Sequence, residues 1–429
     1  MKIIIAFLIF GLVITVHELG HFLLAKRAGI TVTEFSLGMG PRLLSFVRGG
    51  TRYSLKLLPI GGSCMMLGED ELSDDQGAFN NKNVWARIST IFAGPFFNFI
   101  LAFLMGLIMI SIRGYDPARV TTVEENSPAA EAGLMAGDVI TEFNGSNIVF
   151  ARDIWAKSYF KPVNSTDKIS IEYKRDGKKF STTLTPGIVS AYMLGFYYNG
   201  DANEPTISTI AEDYPLYLAG LQVGDVIKEI NGDSIKTGLD LSQYMEKHPL
   251  TNEKITLTYL RDGETTTVEV TPKLTESYNI GFSYNTSFEK TGVLGVFRYS
   301  FSEVRYWIST TVKSLGQLVT GKIGADDLGG PVRIISEIGN VVETSKEFGF
   351  SALVADLLQW TILLSANLGV MNLLPIPALD GGRLLFLIIE AFRGKPINRD
   401  KEGFVHMIGF VLLMMLMVFV FFNDIRNIL

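Results

Sequence analysis

Hydrophobic residues are concentrated in a few long stretches of the chain, separated by polar sequence. A helix needs about 20 apolar residues to cross the hydrocarbon core of a membrane. The pattern therefore predicts transmembrane helices at Ile3 to Ala25, Ile88 to Ile112, Leu353 to Ile376 and Phe404 to Phe422. About 240 mainly polar residues lie between the second and third of these stretches, enough for two small domains.

Lysine and arginine residues are unevenly distributed among the connections between these helices. They cluster after the first helix, from Lys26 to Lys56, and before the fourth, from Arg383 to Lys401. By the positive-inside rule, both connections lie in the cytoplasm. Both termini and the long polar region are then extracytoplasmic. Basic residues after the first apolar stretch, where a cleavable secretion signal would have small residues, indicate a retained helix.

Composition excludes some other classes of site. The formal net charge of −6 is too small to favour binding of nucleic acid. Cys64 is the single cysteine of the chain, so neither an intramolecular disulfide nor a metal cluster built from several thiolates of one chain is possible.

An internal repeat occupies the polar region. The sequence AGLMAGDVITEFNG, from Ala132, matches AGLQVGDVIKEING, from Ala219, and the matches continue through LGFYYN and IGFSYN. We therefore predict two tandem units of about 85 residues, at 118–190 and 204–286. Both carry the AGL-x-x-GD-x-I-x-x-x-NG motif and so resemble PDZ domains. The alternative is a duplicated β-rich spacer without a peptide-binding groove.

A β-hairpin is predicted between the first two helices. In LLSFVRGGTRYSLKLL, apolar and polar residues alternate around Gly49-Gly50, which is typical of two strands joined by a two-residue turn. Next to a membrane, its edge could receive an extended peptide by strand addition. An ordinary amphipathic cytoplasmic hairpin explains this stretch equally well. After the repeats, residues 287–350 mix apolar and basic residues at helical spacing, which predicts helices along the membrane surface.

The first apolar helix contains the ionisable residues His17, Glu18 and His21. Histidines four residues apart lie on one face of a helix and can bind one metal ion. Zinc suits this H-E-x-x-H arrangement, and Glu18 can act as the general base on a water at the metal. A chance motif is disfavoured because titratable groups are costly within a membrane. The 14 residues from Ile3 to His17 span about 21 Å of a hydrocarbon core of about 30 Å. Because His17 thus lies well past the middle of the membrane, the site is expected nearer the cytoplasmic face.

A third metal ligand is expected because catalytic zinc usually has three from the protein. Asp380 is the candidate carboxylate, and it follows Pro375 and Pro377, which interrupt the third helix. Backbone groups that lose their helical hydrogen bonds at these prolines are tolerated at membrane depth where they line a protein cavity. Considered without the histidines, Asp380 could equally be a turn residue before Gly381-Gly382.

Together these motifs resemble the site-2 protease family, and within it the bacterial proteases that regulate sigma-E. HELGH, AGPFFNF and NLLPIPALDGG carry the resemblance, together with the paired repeats. It implies that His17, His21 and Asp380 bind Zn²⁺ and that Glu18 is the catalytic acid and base. It also implies that Asn372 holds the substrate backbone. Asn98 fits the family too, but the sequence assigns it no role. GGSCMM lacks the aromatic residue that the family often has after the paired glycines.

The predicted fold class is a polytopic α-helical membrane protein with four transmembrane helices, a membrane-associated β-hairpin and two extracytoplasmic PDZ-like domains. The helices are placed at 1–25, 88–112, 353–382 and 403–422, and the cytoplasmic segments at 26–87 and 383–402.

The resemblance implies a zinc metalloendopeptidase of the bacterial inner, or cytoplasmic, membrane. It would act in regulated intramembrane proteolysis and a stress response. Its substrates would be single-pass membrane proteins in lipid, such as an anti-sigma factor after trimming by another protease, and remnant signal peptides. No nucleic acid is expected. A metal transporter and a catalytically silent PDZ scaffold are the alternatives. The repeats could act as a gate against untrimmed substrates or bind the new C-terminus of a trimmed one.

Overall fold

A computed structural model describes residues 2–69, 71–200, 202–285, 287–322 and 329–428. The chain forms two compact units. The helical unit comprises Met1–Ala118, Val149–Phe160 and Asn285–Leu429, and the β unit comprises Arg119–Ile148 and Lys161–Tyr284. Parts of the predicted segments, namely residues 1, 70, 286 and 323–328, lie outside the described residues.

The helical unit contains long helices and one pair of strands; labels follow chain order through both units. Its elements are α1 (Lys2–Arg27), β1 (Val32–Arg48), β2 (Thr51–Met66), α2 (Val84–Arg113), α4 (Ala151–Phe160), α7 (Val293–Val319), α8 (Pro331–Glu347), α9 (Phe350–Leu373), α10 (Asp380–Arg393) and α11 (Arg399–Ile428). Four of the described helices, α1, α2, α9 and α11, are long and apolar enough to cross a membrane.

The core of this unit forms where α2 packs against α1 on one side and α9 on the other. Small residues make close approach possible, among them Ala102 of α2 and Ala366 of α9, both fully buried. Because apolar lipid gives little hydrophobic force between helices, association depends on such close packing and on interhelical hydrogen bonds. One such bond joins α9 to α2, where Ser365 Oγ donates to the backbone oxygen of Asn98 over 2.8 Å.

Residues 383–402, predicted as a cytoplasmic loop, are not a loop throughout, because α10 occupies the whole first half of this segment. The third apolar helix ends at Leu373, and α10 starts at Asp380 and ends before Gly394, which has the left-handed conformation common after a helix. Leu384 and Leu387, three residues apart, are buried in a hydrophobic cluster.

β1 and β2 pair antiparallel around Gly49-Gly50, but both strands are bent. Positive φ angles at Gly38, Gly40 and Gly61, from 81° to 89°, allow the bends. Residues 62–66 therefore pair with one side of residues 32–37, and residues 52–55 pair with the other side of residues 34–37. The result is a curled sheet with residues 62–66 as one edge, called the edge row below.

An ion pair across the bend of β1 stabilises this shape. Arg42, beyond the bend, donates from Nε and Nη2 to the two carboxylate oxygens of Glu34, each over 2.9 Å. The hydrogen bonds from Arg42, together with Ser54 and Lys56, lower the pKa of the buried Glu34 to about 2. Glu34 therefore stays ionised at neutral pH, which is the form that binds the guanidinium.

The β unit contains both sequence repeats. Its elements are β3 (Arg119–Val123), α3 (Pro128–Glu131), β4 (Val139–Phe143), β5 (Ser146–Asn147), β6 (Ile169–Arg175), β7 (Lys178–Leu184), β8 (Gly187–Met193), β9 (Phe196–Tyr198), β10 (Ile207–Ile210), α5 (Pro215–Leu218), β11 (Val226–Ile230), β12 (Asp233–Ser234), α6 (Gly238–Lys247), β13 (Ile255–Arg261), β14 (Glu264–Val270), β15 (Lys273–Asn279) and β16 (Phe282–Asn285).

The repeats are nested rather than tandem, so the predicted boundaries at 118–190 and 204–286 are wrong. The larger sheet has the order β16-β3-β4-β6-β7, with β5 beside β4, and thus takes its first strand from the end of the second repeat. β9, which ends the first repeat in sequence, pairs with β10 of the second. β8 and β15 pair with each other. Residues 149–160, moreover, pack with the helical unit.

The two repeats nevertheless use the same internal contact. Arg175 donates from Nε and Nη2 to the carboxylate of Asp138, each over 2.7 Å, and Arg261 does the same to Asp225 at the same distances. Both aspartates are at most 2% exposed. The arginine of each Arg-Asp-Gly motif thus neutralises the buried aspartate of each Gly-Asp motif, which explains why the repeat retains both residues.

The close contact between α1 and α2 at Gly20 can be tested by substitution. A Cβ there would lie 2.3 Å from the backbone oxygen of Ala93 on α2. Gly20→Ala should therefore destabilise the protein by about 1–3 kcal/mol, as overpacking does. Gly316→Ala on α7 is the control, since its Cβ would have no atom within 4 Å and alanine favours helix. Thermal unfolding in detergent should show a lower midpoint only for Gly20→Ala; equal midpoints would contradict the close crossing.

Candidate metal centre

His17, His21 and Asp380 meet in the helical unit. Nε2 of His17 lies 3.2 Å from Nε2 of His21. Oδ2 of Asp380 lies 3.1 Å from Nε2 of His17 and 3.3 Å from Nε2 of His21. Both histidines are buried, with exposed fractions of 7% and 6%. The three side chains that the sequence predicts as ligands are therefore brought together, although 359 positions separate His21 from Asp380 (380 − 21).

The turn between α9 and α10 positions the carboxylate. Leu374 ends α9 in an extended conformation, and Ala378 has a φ of 75°, which is unusual for a residue with a Cβ. The backbone N–H of Ala378 donates to Nδ1 of His406 on α11 over 2.8 Å. This contact fixes the strained turn, so that Asp380 begins α10 with its carboxylate beside the histidines.

Two ion pairs hold α10 itself. Arg87 of α2, which is buried, donates to the carboxylate of Glu390 near the end of α10. Arg383, one turn after Asp380, donates to Glu69. The pair of Arg87 and Glu390 is the more buried of the two and is costly to separate, because the remaining charge would be left without compensation. Asp380 is thus held from both ends of its helix.

The hydrogen bonds of the cluster fit a cation. Nδ1 of His21 lies 2.9 Å from the backbone oxygen of Thr90, which can only accept, so the neutral ring carries its proton on Nδ1 and a lone pair on Nε2. Oδ2 of Asp380 is buried without a hydrogen-bond donor among the described residues. Nε2 of His21 and Oδ2 of Asp380 are therefore electron-rich atoms 3.3 Å apart, and two imidazoles with one carboxylate are a ligand set of catalytic zinc.

Gly94 on α2 leaves the space beside the histidines. A Cβ on Gly94 would lie 2.2 Å from Nε2 of His21 and 2.9 Å from Cε1 of His17. The backbone of α2 therefore lies directly against both imidazole rings. Any residue with a side chain at position 94 would occupy the space next to the ring atoms that are the candidate metal ligands.

Glu18 lies on a cavity of about 760 Å³ that the cluster shares with the edge row. His17, Glu18, His21 and Asp380 line one part of it, and residues 62–69 line another. A Cβ on Gly62 would lie only 3.1 Å from Cγ of Glu18. The strand beside the site is thus the GGSCMM segment, and not the alternating stretch from Leu43 to Leu58 on which the prediction of a peptide-binding edge rests.

Other residues near the site carry weaker signals in the sequence. Asn372 is half-buried in the last turn of α9 and is not among the described residues that line the cavity. Thr90, Gly94 and Asn98, spaced four apart on α2, face the histidines. A polar residue in an apolar helix, such as Asn98, is the signal that points to this face.

Chemically, the arrangement is that of a metallopeptidase: a cluster of candidate metal ligands, an adjacent carboxylate and a cavity of about 760 Å³ beside a strand edge. The comparisons agree. Peptidase family M50 matches residues 5–416. The zinc metalloprotease RasP of Bacillus licheniformis is 36% identical over 448 residues, covering 100% of this chain and 99% of the relative. The zinc metalloprotease RasP of Geobacillus kaustophilus is 33% identical, covering 99% and 98%.

A third relative, the regulator of sigma-W protease RasP of Bacillus subtilis, is 33% identical and covers 99% of this chain and 98% of the relative. The chain therefore belongs to peptidase family M50, the site-2 proteases, as its motifs predict. It is an integral membrane zinc metalloprotease, and its cofactor is Zn²⁺. The HtrA3 PDZ domain bound to a phage-derived ligand aligns with 21% of this chain and 92% of that chain at 17% identity and a TM-score of 0.18; the PDZ resemblance of the repeats rests on their sequence motif.

A prediction follows for Gly94. Gly94→Ala should displace the imidazole rings and weaken zinc binding about tenfold or more, although no ligand is removed. Gly403→Ala on α11 is the matched control, because its Cβ would meet no atom within 4 Å. Zinc retained by the purified proteins against a graded chelator series measures the effect. Unchanged retention by Gly94→Ala would mean that the metal binds away from this face of α2.

Proposed function

We propose that this protein is an intramembrane protease that cleaves transmembrane segments of single-pass membrane proteins. His17, His21 and Asp380 bind the zinc ion, and Glu18 is the catalytic acid and base. The convergence of three buried ligand atoms with Glu18 on one cavity supports this assignment. The ligands come from helices of an apolar bundle, where such groups mark function.

Bound zinc supplies a Lewis acid that polarises the scissile carbonyl and activates water. The protein's own residues perform the proton transfers. The Glu18 carboxylate takes a proton from the attacking water and then donates it to the nitrogen of the departing amine. His17 and His21 hold the ligand geometry from adjacent turns of one helix, so that Glu18 stays at a constant position relative to them.

The substrate has to be extended where it is cleaved, because a helix keeps its peptide groups within its own hydrogen bonds. The edge row supports a way to hold such a strand. Within the described chain, residues 62–66 pair on one side only, with β1. A substrate strand that pairs with the other side would lie in the cavity beside Glu18. Asn372, in the last turn of α9, would help to hold the substrate backbone, as the family resemblance implies.

The biological role is regulated intramembrane proteolysis. The printed name of the Bacillus subtilis relative, regulator of sigma-W protease, supports an anti-sigma factor as the substrate. Prior removal of the substrate's external domain by another protease would precede this cleavage, and remnant signal peptides form a second class of substrate. Such a protein takes part in a stress response.

The protein lies in the bacterial cytoplasmic membrane, with the hairpin associated with the membrane and the β unit extracytoplasmic. Lys26 and Arg27 at the end of α1 support this orientation, as does Arg393 at the end of α10. These basic residues lie at the ends that the positive-inside rule assigns to the cytoplasm.

The assignment of roles is tested with Glu18→Gln and Asp380→Ala. Glu18→Gln keeps the shape of the side chain but removes the base, so cleavage of a helical test substrate should fall about a hundredfold or more while zinc stays bound. Asp380→Ala should lose both cleavage and zinc, since two histidines under-coordinate the ion. Rates from purified protein and zinc content per chain are measured on the same samples.

The two readouts separate the alternatives. If the Glu18→Gln variant cleaves at the wild-type rate, Glu18 is not the general base. Normal zinc content in Asp380→Ala would place the third ligand elsewhere. A transporter or a scaffold would bind metal or peptide without hydrolysing the test substrate in any of the variants.

Topology is tested by labelling introduced cysteines in intact cells with an impermeant thiol reagent. A cysteine at Asn199, in the β unit, should be labelled, and one at Asn398, between α10 and α11, should not. The wild type, which has Cys64 alone, is the control and gives the background labelling that is subtracted from both variants. The reverse labelling pattern would place the β unit in the cytoplasm.

A further inference from the structure

Asn98 of α2 is a fully buried amide beside the metal centre. Its exposed fraction is 0%, and its Nδ2 lies 3.3 Å from Nδ1 of His17. Its Oδ1 is also buried and has no hydrogen-bond partner in the described part of the chain. Burial of an unpaired amide oxygen costs free energy, so the position calls for a physical reason.

His21 shows what a histidine ligand requires here. The backbone oxygen of Thr90 accepts the proton on Nδ1 of His21, which leaves the Nε2 lone pair for the metal. Metal-binding histidines generally donate their second ring nitrogen to such an acceptor, which fixes both the tautomer and the ring orientation. Asn98 follows Thr90 by eight residues, two helical turns, and stands to His17 as Thr90 stands to His21.

The orientation of the Asn98 amide follows from zinc binding by His17. If Nε2 of His17 donates its lone pair to zinc, the proton of the neutral ring is on Nδ1. An N–H facing the amide NH₂ would bring two donors together. Rotation of the amide by 180° about Cβ–Cγ exchanges its two ends and places Oδ1 as the acceptor of the Nδ1 proton, at essentially the same position in space.

We propose that Asn98 is a positioning residue for zinc: its Oδ1 accepts the Nδ1 proton of His17 and holds the imidazole in the tautomer that binds the metal. This inference rests on the proposed function, in which His17 is a zinc ligand. Asn98 is the side-chain counterpart of the Thr90 carbonyl. A backbone carbonyl cannot be removed by substitution, whereas the Asn98 amide can, and this makes the contact testable.

The test compares zinc affinity in four variants of the full-length protein. Asn98→Leu keeps the size of the side chain but has no acceptor, and Asn98→Asp keeps an acceptor oxygen. Ser365→Ala is the matched control, because it removes the hydrogen bond to the backbone oxygen of Asn98 and leaves the amide untouched. His17→Ala removes the ligand itself and reports on the proposed function.

Zinc dissociation constants come from competition with a chelator, and the absorption spectrum of the Co²⁺-substituted protein reports ligand geometry. Asn98→Leu should bind zinc about 10–100-fold more weakly and change the Co²⁺ spectrum. Asn98→Asp should bind close to wild-type strength, because a carboxylate oxygen accepts the same proton. Ser365→Ala should match the wild type in both measurements.

Each contrary outcome has one meaning. Wild-type affinity in Asn98→Leu, with zinc lost from His17→Ala, would overturn the role of Asn98 and leave the zinc site intact. Wild-type affinity in His17→Ala would overturn the proposed function. Equal weakening in Asn98→Leu, Asn98→Asp and Ser365→Ala would assign Asn98 to packing alone and so overturn the inference. If the leucine variant does not fold, Asn98→Ala removes the amide without added bulk and is compared with Asn98→Asp in the same way.

Discussion

The close crossing of α1 and α2 is the contact on which the active site depends. A Cβ on Gly20 would lie 2.3 Å from the backbone oxygen of Ala93 on α2, and a Cβ on Gly94 would lie 2.2 Å from the imidazole of His21 on α1. Within this crossing, Thr90 faces His21 and Asn98 faces His17, so the two helices run past each other in opposite directions and each histidine has its own partner on α2. Moving the helices apart would separate both imidazoles from their hydrogen bonds.

The third ligand reaches the crossing because polar contacts fix a helix that starts inside the bundle. Arg87 and Glu390 join α2 to α10, so the helix that carries the histidines' hydrogen-bond partners also holds the helix that carries Asp380. In a medium of low dielectric an unpaired charge is costly, and these contacts therefore restrict α10 to one arrangement. The bundle thus uses ionic contacts for position, where a soluble protein would rely more on burial of apolar surface.

The candidate ligands could be predicted from the sequence, but the groups that orient them could not. The spacing of His17 and His21 places them on one helical face, and Asp380 is conspicuous because carboxylates are rare near apolar helices. The acceptor for His21, by contrast, is the backbone oxygen of Thr90, and every residue has such an oxygen. The contribution of Gly94 is the absence of a side chain, which becomes meaningful only once the neighbouring helix is in place.

Contacts between distant parts of the chain also explain which parts of the fold could not be predicted from the sequence. The apolar stretches could be recognised because each helix satisfies its own backbone, whereas strand partners are chosen across long distances. LGFYYN and IGFSYN can complete either repeat equally well, and only the folded chain exchanges them. In the hairpin, glycines let β2 bend until its second half pairs with the opposite side of β1, and Gly62 then lies against Glu18. Glycines at positions 20, 62 and 94 therefore allow α1, α2 and the edge row to approach one another closely. This close approach brings the histidines, Glu18 and the strand edge to one site.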